Sequence, residues 1–329
     1  MNRRVTLAAR PEGEPRESDF SLDEAPVPEP GAGEVLVRSH YVSVDPYQRG
    51  RMSEARSYAA PLQLGDVVTA QAVGEVVESR DGRFSPGDVV VGQLGWQEYA
   101  VARGGTLRPF TGTPITTALH LLGTTGLTAY FGLFDVGCPK PGETVVVSGA
   151  AGAVGSIVGQ LARIAGCRTV GIAGGAQKVA DLLDVYGFDA AIDYRSQDVA
   201  AELKTAAPDG VDVYFDNVGG PVTLAVLRRL AVGARIAVCG QISQYNDTEP
   251  TPTIPGLGFL IVYRARVEGF LVTDYAHRFP EAERRLARWL ADGELTYREH
   301  IVEGIEHAPA AFMGLFRGEN RGKALVKLV

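Results

Sequence analysis

Residues 145–162 read VVVSGAAGAVGSIVGQLA and carry no charge over eighteen positions. Three kinds of structure use such a run. A membrane span needs about 20 apolar residues. A buried strand followed by a buried helix has the same hydropathy. So does a glycine-rich loop that lies against an anion at the start of a helix. The residues separate these readings. Valines open the run, Gly149, Gly152, Gly155 and Gly159 interrupt it, and Ser148, Ser156 and Gln160 place polar groups inside it. One long apolar helix does not fit that order; strand, turn and helix do.

The surrounding sequence agrees. From Gly142 onward, strand-like and helix-like stretches alternate. ETVVVSG is followed by a helix over about Val154–Ile164, and CRTVGIA by a helix over about Gln177–Tyr186. AAIDY precedes the helix DVAAELKTA, VDVYFDNV precedes the helix PVTLAVLRRL, and ARIAVCG and ARVEGFLVTDY are two further strands. This alternation predicts an α/β fold with a doubly wound parallel sheet. From Glu34 to about Ala102 the signals are short and β-like: EVLVRSHYVSV, GEVVES and GDVVVGQLGWQEYAV, punctuated by Pro30-Gly31, Pro86-Gly87 and Gly104-Gly105. They predict a compact, mostly antiparallel β-rich domain. The tail, a helix near Ala308–Phe316 and the strand KALVKLV, is expected to rejoin it. The expected boundaries are 1–122 with 298–329 for the β-rich domain and 123–297 for the sheet domain. Two domains also suit 329 residues at about 100–200 residues each.

Ala150–Gly155, AAGAVG, follows the first strand of the sheet domain and opens its helix. The spacing is that of a dinucleotide fingerprint, with Ala150 in place of the first glycine. Gly152 lets the backbone approach a pyrophosphate, and Gly155 lets the helix pack on the strand. The cradle Ala151, Gly152, Ala153 and Val154 offers backbone N–H groups and the helix dipole to the negative charge. A purely structural glycine-rich turn is the alternative. An NAD site places Asp or Glu about 20 residues further on, against the ribose 2′-hydroxyl. Here Ala173, Gly174, Gly175 and Ala176 hold that place, and Lys178 follows. No carboxylate repels a 2′-phosphate and a cation stands near it, so NADP is expected over NAD. Tyr194, after the third strand, can add a hydroxyl donor. Taken singly, Lys178 is a solvated first-turn lysine and Tyr194 a strand-end tyrosine.

The totals restrict the rest. Composition is that of a globular chain, 45% hydrophobic and 22% charged. A net charge of −7 argues against nucleic acid as the main partner. The first twenty residues, MNRRVTLAARPEGEPRESDF, contain no apolar signal core. Cys138, Cys167 and Cys239 form an odd set without paired spacing, which suits reduced thiols and a cytoplasmic location.

Together, VSVDPYQRGRM, GTTGLTAYFGL, ETVVVSGAAGAVGS, FDNVGG, CGQISQYN and GENRGKALVKL span nearly the whole chain. They resemble the zinc-free, NADP-dependent medium-chain dehydrogenase/reductases, and within them the double-bond reductases: prostaglandin reductases, plant alkenal reductases and bacterial curcumin-reductase-like enzymes. The resemblance implies a GroES-like catalytic domain around a Rossmann domain, as a homodimer. It implies that Lys178 and Tyr194 grip the 2′-phosphate and that Asn217 lies along the cofactor. Cys239, Gly240, Ile242 and Ser243 would line the nicotinamide ribose. Phe270, Leu271 and Val272 would flank the nicotinamide, and Asn320 would close the site from the tail.

A zinc site needs Cys and His ligands around an open position. There is no cysteine before Cys138, and His40, His120, His277, His300 and His307 have no ligand spacing, so no metal is expected. Reduction of an activated C=C suits such a site. The substrate's carbonyl takes up charge as hydride reaches the β-carbon, and the site must hold the enolate oxygen and protonate the α-carbon. Tyr263, in FLIVYRARVEGFLV, is the expected proton donor, because similar tyrosines precede this strand in several of these reductases; water or the cofactor's ribose hydroxyl is the alternative. Tyr47 and Tyr58 are candidates for the pocket wall or the enolate oxygen. Tyr58 lies in Ser53–Pro61, which reads as a loop over the substrate, and Asn246–Leu260 is the second stretch that sets pocket size. Asp45 is expected to fix the turn before Pro46. The expected activity is NADPH-dependent enone or enal reduction. A quinone reductase and an NADPH-binding sensor with little catalysis are the competing readings.

Overall fold

The structure is a computed structural model that describes residues 1–249 and 256–329. The chain divides into two compact units, one of residues 1–120 and 299–329, the other of residues 121–298. Part of the stretch Asn246–Leu260 lies outside the described residues.

In the first unit, β1 (Asn2–Leu7) pairs antiparallel with β2 (Phe20–Ala25). Next come β3 (Glu34–Ser43), the short helix α1 (Gln48–Arg51), β4 (Gln71–Ser79), β5 (Val89–Gln93), β6 (Tyr99–Arg103) and β7 (Arg108–Pro109). The second unit contributes α2 (Thr124–Phe131), β8 (Thr144–Ser148), α3 (Gly155–Ile164), β9 (Arg168–Ala173), α4 (Ala176–Asp184), β10 (Ala190–Asp193) and α5 (Val199–Ala206). It continues with β11 (Val211–Asp216), α6 (Gly220–Leu227), β12 (Leu230–Val238), α7 (Gly258–Tyr263), β13 (Arg266–Gly269) and α8 (Phe279–Ala291). The tail returns to the first unit as β14 (Glu299–Glu303), α9 (Ala308–Arg317) and β15 (Lys323–Lys327).

The first unit's larger sheet runs β14-β15-β3-β4-β5-β7, with β6 also on β3. The ten-residue β3 is its hub: Glu34–Arg38 pair with β6 and Tyr41–Ser43 with β15. The tail also completes the core. Phe312 of α9 packs edge-on to Trp96 at 5.8 Å and to Phe20 at 6.2 Å.

The second unit's sheet has the order β10-β9-β8-β11-β12-β13, and all its pairings are parallel. Numbered within the sheet this is 3-2-1-4-5-6, with the switch point between β8 and β11, where such sheets bind dinucleotides. The uncharged run is explained by burial on both faces. Val145 and Val147 enter one core with Ile157, Val158 and Leu161, and Val146 enters the other with Tyr214 and Val226. Gly159 is required by packing, since a Cβ there would lie 1.9 Å from the ring of Phe188. Helix starts follow local rules: Asp198 caps α5 by accepting from Ala200 N at 2.9 Å, and Pro221, Pro280 and Pro309 stand in the first turns of α6, α8 and α9. Among the described residues, no helix is long and apolar enough to cross a membrane.

Candidate active site

In the second unit, the carboxyl ends of the strands form a crest. Gly149, directly after β8, has φ +59°, so this residue makes the tight turn. That corrects the motif register: Gly149, not the position of Ala150, plays the first glycine, and the pattern is Gly149, Gly152, Gly155. A Cβ on Gly155 would lie 2.4 Å from the Gly149 carbonyl oxygen and 2.8 Å from Ala150 Cα, so the helix can approach the strand only without a side chain. A Cβ on Gly152 would meet only the Gly149 oxygen, at 3.1 Å, and would otherwise fill the open cradle bounded by Ala151, Ala153 and Val154. No side chain caps the start of α3, which suits an anion in that place.

On one side of this turn lies the end of β9. Tyr194 folds back over Gly174, where a Cβ would stand 2.8 Å from its ring and hydroxyl. Asp193 holds this arrangement. Its carboxylate accepts from the N–H of Gly175 at 2.8 Å and of Arg195 at 3.0 Å, and from Ser196 Oγ at 2.9 Å. The Gly175 bond is the main cause of its depressed pKa. Lys178 is partly buried. Its pKa is lowered, first by burial and then by the charge of Arg195. Two cations and a phenol therefore gather around Gly174. Arg195 was not among the sequence candidates; its signal is a second cation, directly after Tyr194.

On the other side, β11 ends in Asp216, a buried carboxylate. One oxygen accepts from Ser148 Oγ (2.9 Å), the Tyr214 hydroxyl (2.9 Å) and the N–H groups of Val218 and Gly219 (3.0 Å each); the other accepts from Thr223 Oγ1 at 2.6 Å. Burial, then the Asp216 charge, push the Tyr214 phenol well up. This cluster builds the crest. Asn217 is fixed through its N–H to Ser148 Oγ (2.9 Å) and its Nδ2 to Ser148 O (2.8 Å). The N–H groups of Cys239 and Gly240 reach the Asp216 carbonyl at 2.8 and 3.1 Å, and those of Ile242 and Ser243 reach the carbonyls of Asn217 and Val218 at 3.3 and 3.1 Å. Burial and Asp216 raise the Cys239 thiol to about 12, so at neutral pH it is a protonated wall group. Sequence reasoning missed Asp216, Ser148, Tyr214 and Thr223.

Phe270, Leu271 and Val272 follow β13 at the same end of the sheet. Phe270 points into the core, edge-on to Phe215 at 6.2 Å and over Gly132. The crest therefore brings Ala151, Gly152, Ala153, Val154, Gly174, Lys178, Tyr194, Asn217, Cys239, Gly240, Ile242, Ser243, Phe270, Leu271 and Val272 to one edge of one sheet. Its glycine cradle, donor loops and paired cations fit a pyrophosphate and a 2′-phosphate.

Tyr263 is not on that edge. It ends α7, its ring packs against the core beneath α6 and β12, and its hydroxyl lies 3.4 Å from the Arg228 carbonyl. Arg228 precedes β12 and Cys239 follows it, so within one subunit Tyr263 stands at the amino end of the sheet. The assignment of Tyr263 as proton donor is corrected accordingly: a residue that precedes a parallel strand lies opposite the crest.

In the first unit, Tyr47 is the N-cap residue directly before α1. Its phenol pKa is raised, first by burial and then by the Asp45 charge, while a bond to the Gln93 side chain opposes the rise; Tyr58 is close enough to add to it. The structure thus brings Tyr47 and Tyr58 together. Tyr58 is 62% exposed. The ends of its loop are pinned by Arg51, whose Nε donates to Ala60 O at 2.8 Å and whose carbonyl accepts from Leu62 N at 2.7 Å. Asp45 does make the turn with its backbone: its N–H goes to Gln48 Oε1 at 2.9 Å, and its carbonyl accepts from Gln48 N at 3.2 Å. Asn320 lies before β15 and donates to Gly322 O at 2.7 Å. Among the described residues, no cluster of three or more His, Cys, Asp or Glu side chains could hold a metal.

The chain resembles known proteins over nearly its whole length. Residues 3–110 match the family model described as the N-terminal domain of oxidoreductase, and residues 153–288 that described as zinc-binding dehydrogenase. The chain is 44% identical to the NADPH-dependent curcumin reductase of Escherichia coli K12, over 99% of this chain and 97% of that one. It is 43% identical to the 2-alkenal reductase (NADP+-dependent) of Nicotiana tabacum, over 99% and 97%. The crystal structure of CurA from Vibrio vulnificus in complex with NADPH superposes with a TM-score of 0.95 at 43% identity, covering 99% of each chain.

Proposed function

We propose, for a chain that belongs to the zinc-free double-bond reductases of the medium-chain dehydrogenase/reductase family, that its reaction is the NADPH-dependent reduction of the C=C bond of α,β-unsaturated ketones and aldehydes. The observation that carries this reading is the phosphate end of the crest: Lys178 and Arg195 near Gly174, Tyr194 over it, and no carboxylate where an NAD site has one. When bound, NADPH supplies the hydride. The chain's own residues bind and orient. Ala151–Val154 hold the pyrophosphate, Lys178, Arg195 and Tyr194 hold the 2′-phosphate, and the loops built on Asp216 place Asn217 and Cys239–Ser243 along the ribose and ring.

The substrate needs a donor at its carbonyl oxygen, where charge collects as the β-carbon is reduced. We assign this to the Tyr47 hydroxyl, with Tyr58 as the neighbouring wall. The phenol is protonated at neutral pH in any case, and burial and the Asp45 charge raise its pKa further. The α-carbon takes a proton that derives from solvent.

Loss of NADPH absorbance tests the reading, with a medium-chain 2-alkenal, an aryl enone, a para-quinone and a saturated aldehyde, repeated with NADH. Turnover of the alkenal and enone with NADPH, without turnover of the saturated aldehyde, is expected. Activity confined to the quinone would replace this reading with a quinone reductase. NADPH binding with no turnover would favour a sensor.

The edge strand β13 supports a homodimer. Among the described residues β13 pairs with β12 alone, which leaves its outer edge open to a second copy, and Leu257 with Ile261 and Val262 of α7 adds exposed apolar surface. Light scattering at twice 35.0 kDa is expected; a monomer mass at micromolar concentration would refute it. The three free cysteines suit a reducing cytoplasm.

A further inference from the structure

The turn that carries Tyr47 is tied to the tail of the chain by a buried charge. Lys323, the first residue of β15, is 1% exposed. Its Nζ lies 2.6 Å from Asp45 Oδ1 and 3.0 Å from the Val44 carbonyl oxygen. Asp45 also accepts from the Ser43 hydroxyl in a short bond. Gln48, which holds the Asp45 N–H, is itself anchored by its Nε2 on the Thr69 carbonyl at 2.7 Å.

Strand pairing does not need this ion pair. β15 is already held by ladders to β3 and β14. Buried ion pairs can be replaced by apolar pairs without loss of stability, so their presence calls for another reason. Tyr47 supplies one. Its hydroxyl bonds to Gln93, and Asp45, two residues away, acts on it through charge alone; Arg51 and Tyr58 are the other groups that act on it. A carboxylate released from Lys323 would be drawn to the nearest strong donor, and a phenol bonded to it would no longer be offered to a substrate.

We propose that Lys323 is a positioning residue for the reaction: it holds the Asp45 carboxylate off the Tyr47 hydroxyl, so that this hydroxyl is presented to the substrate's oxygen. The proposal rests on the assignment of Tyr47 above.

The test compares Lys323→Met, Lys323→Arg, Asp45→Asn/Lys323→Met and Tyr47→Phe in the full chain. It reads kcat and KM for a 2-alkenal, the NADPH Kd, and the 13Cζ resonance of Tyr47, assigned by its loss in Tyr47→Phe. Lys323→Met is expected to lower kcat by about tenfold or more, the scale on which a misplaced donor acts. The Tyr47 resonance should move while the NADPH Kd stays unchanged. Lys323→Arg should recover most of the rate. The double variant, which has no carboxylate to capture the phenol, should also recover it. If Lys323→Met does not fold, Lys323→Gln replaces it with the same expectations. A folded single variant with wild-type kcat and an unmoved Tyr47 resonance would overturn the proposal, as would a double variant as slow as the single one. Wild-type kcat in Tyr47→Phe would instead remove the assignment of Tyr47.

Discussion

Replacing both Lys178 and Arg195 by alanine is expected to raise the Kd for NADPH by about 100-fold while leaving that for NADH within about threefold, since charge-assisted bonds to a phosphate contribute roughly 1.5–3 kcal/mol each and partial exposure reduces the sum. The two cations are close enough for Arg195 to depress the Lys178 pKa, a repulsion that a dianionic 2′-phosphate would relieve. Fluorescence titration with both cofactors, at low and at physiological salt, measures the effect. Salt should weaken NADPH binding in the wild type more than in the variant, because the variant has lost the charges being screened. Equal losses for NADPH and NADH would mean that the cradle, not the phosphate site, had been damaged.

Tyr47→Phe is expected to lower kcat by about 100-fold or more, the scale of a lost donor at a developing oxyanion, with the NADPH Kd unchanged. The pKa direction adds a pH signature. A phenol donates while protonated and stops donating as pH rises through its pKa. Since burial and the Asp45 charge move that pKa above the ordinary value of about 10, kcat should show no alkaline fall from Tyr47 up to about pH 10. A profile of kcat against pH, for wild type and variant, checks both points. A Tyr47→Phe enzyme with kcat within about twofold of wild type, far from the loss expected of a missing oxyanion donor, would assign the oxygen-binding role elsewhere.

The parts of the fold that were legible in the sequence are those buried on both faces. VVVSGAAGAVGSIVGQLA, CRTVGIA and VDVYFDNV announce themselves because β8, β9 and β11 sit between two cores. β1 and β2 do not, because Arg3, Arg4, Asp23 and Glu24 interrupt short strands with a solvated side. α8 is equally quiet: only Ala282 and Leu286 are fully buried in a helix otherwise rich in charge. The crest was readable where local chemistry decides, as at Lys178 and Tyr194 beside Gly174. It was not readable where the partner lies far along the chain. Ser148 and Asp216 are 68 residues apart, and Asp45 and Lys323 are 278 apart. Tyr263 shows the reverse failure. Its neighbours in sequence, Phe270–Val272, do reach the crest, but the strand between them carries the chain across the sheet.

In the proposed reaction hydride goes to the β-carbon of an enone or enal and the α-carbon takes its proton from solvent. The most direct measurement is the fate of deuterium in the alkenal arm of the assay, with NADPH deuterated at both C4 positions in H2O, and with ordinary NADPH in D2O. Label is expected on the β-carbon in the first product and on the α-carbon in the second, with the carbonyl intact in both. Label on a carbinol carbon, from reduction of the carbonyl itself, would contradict it.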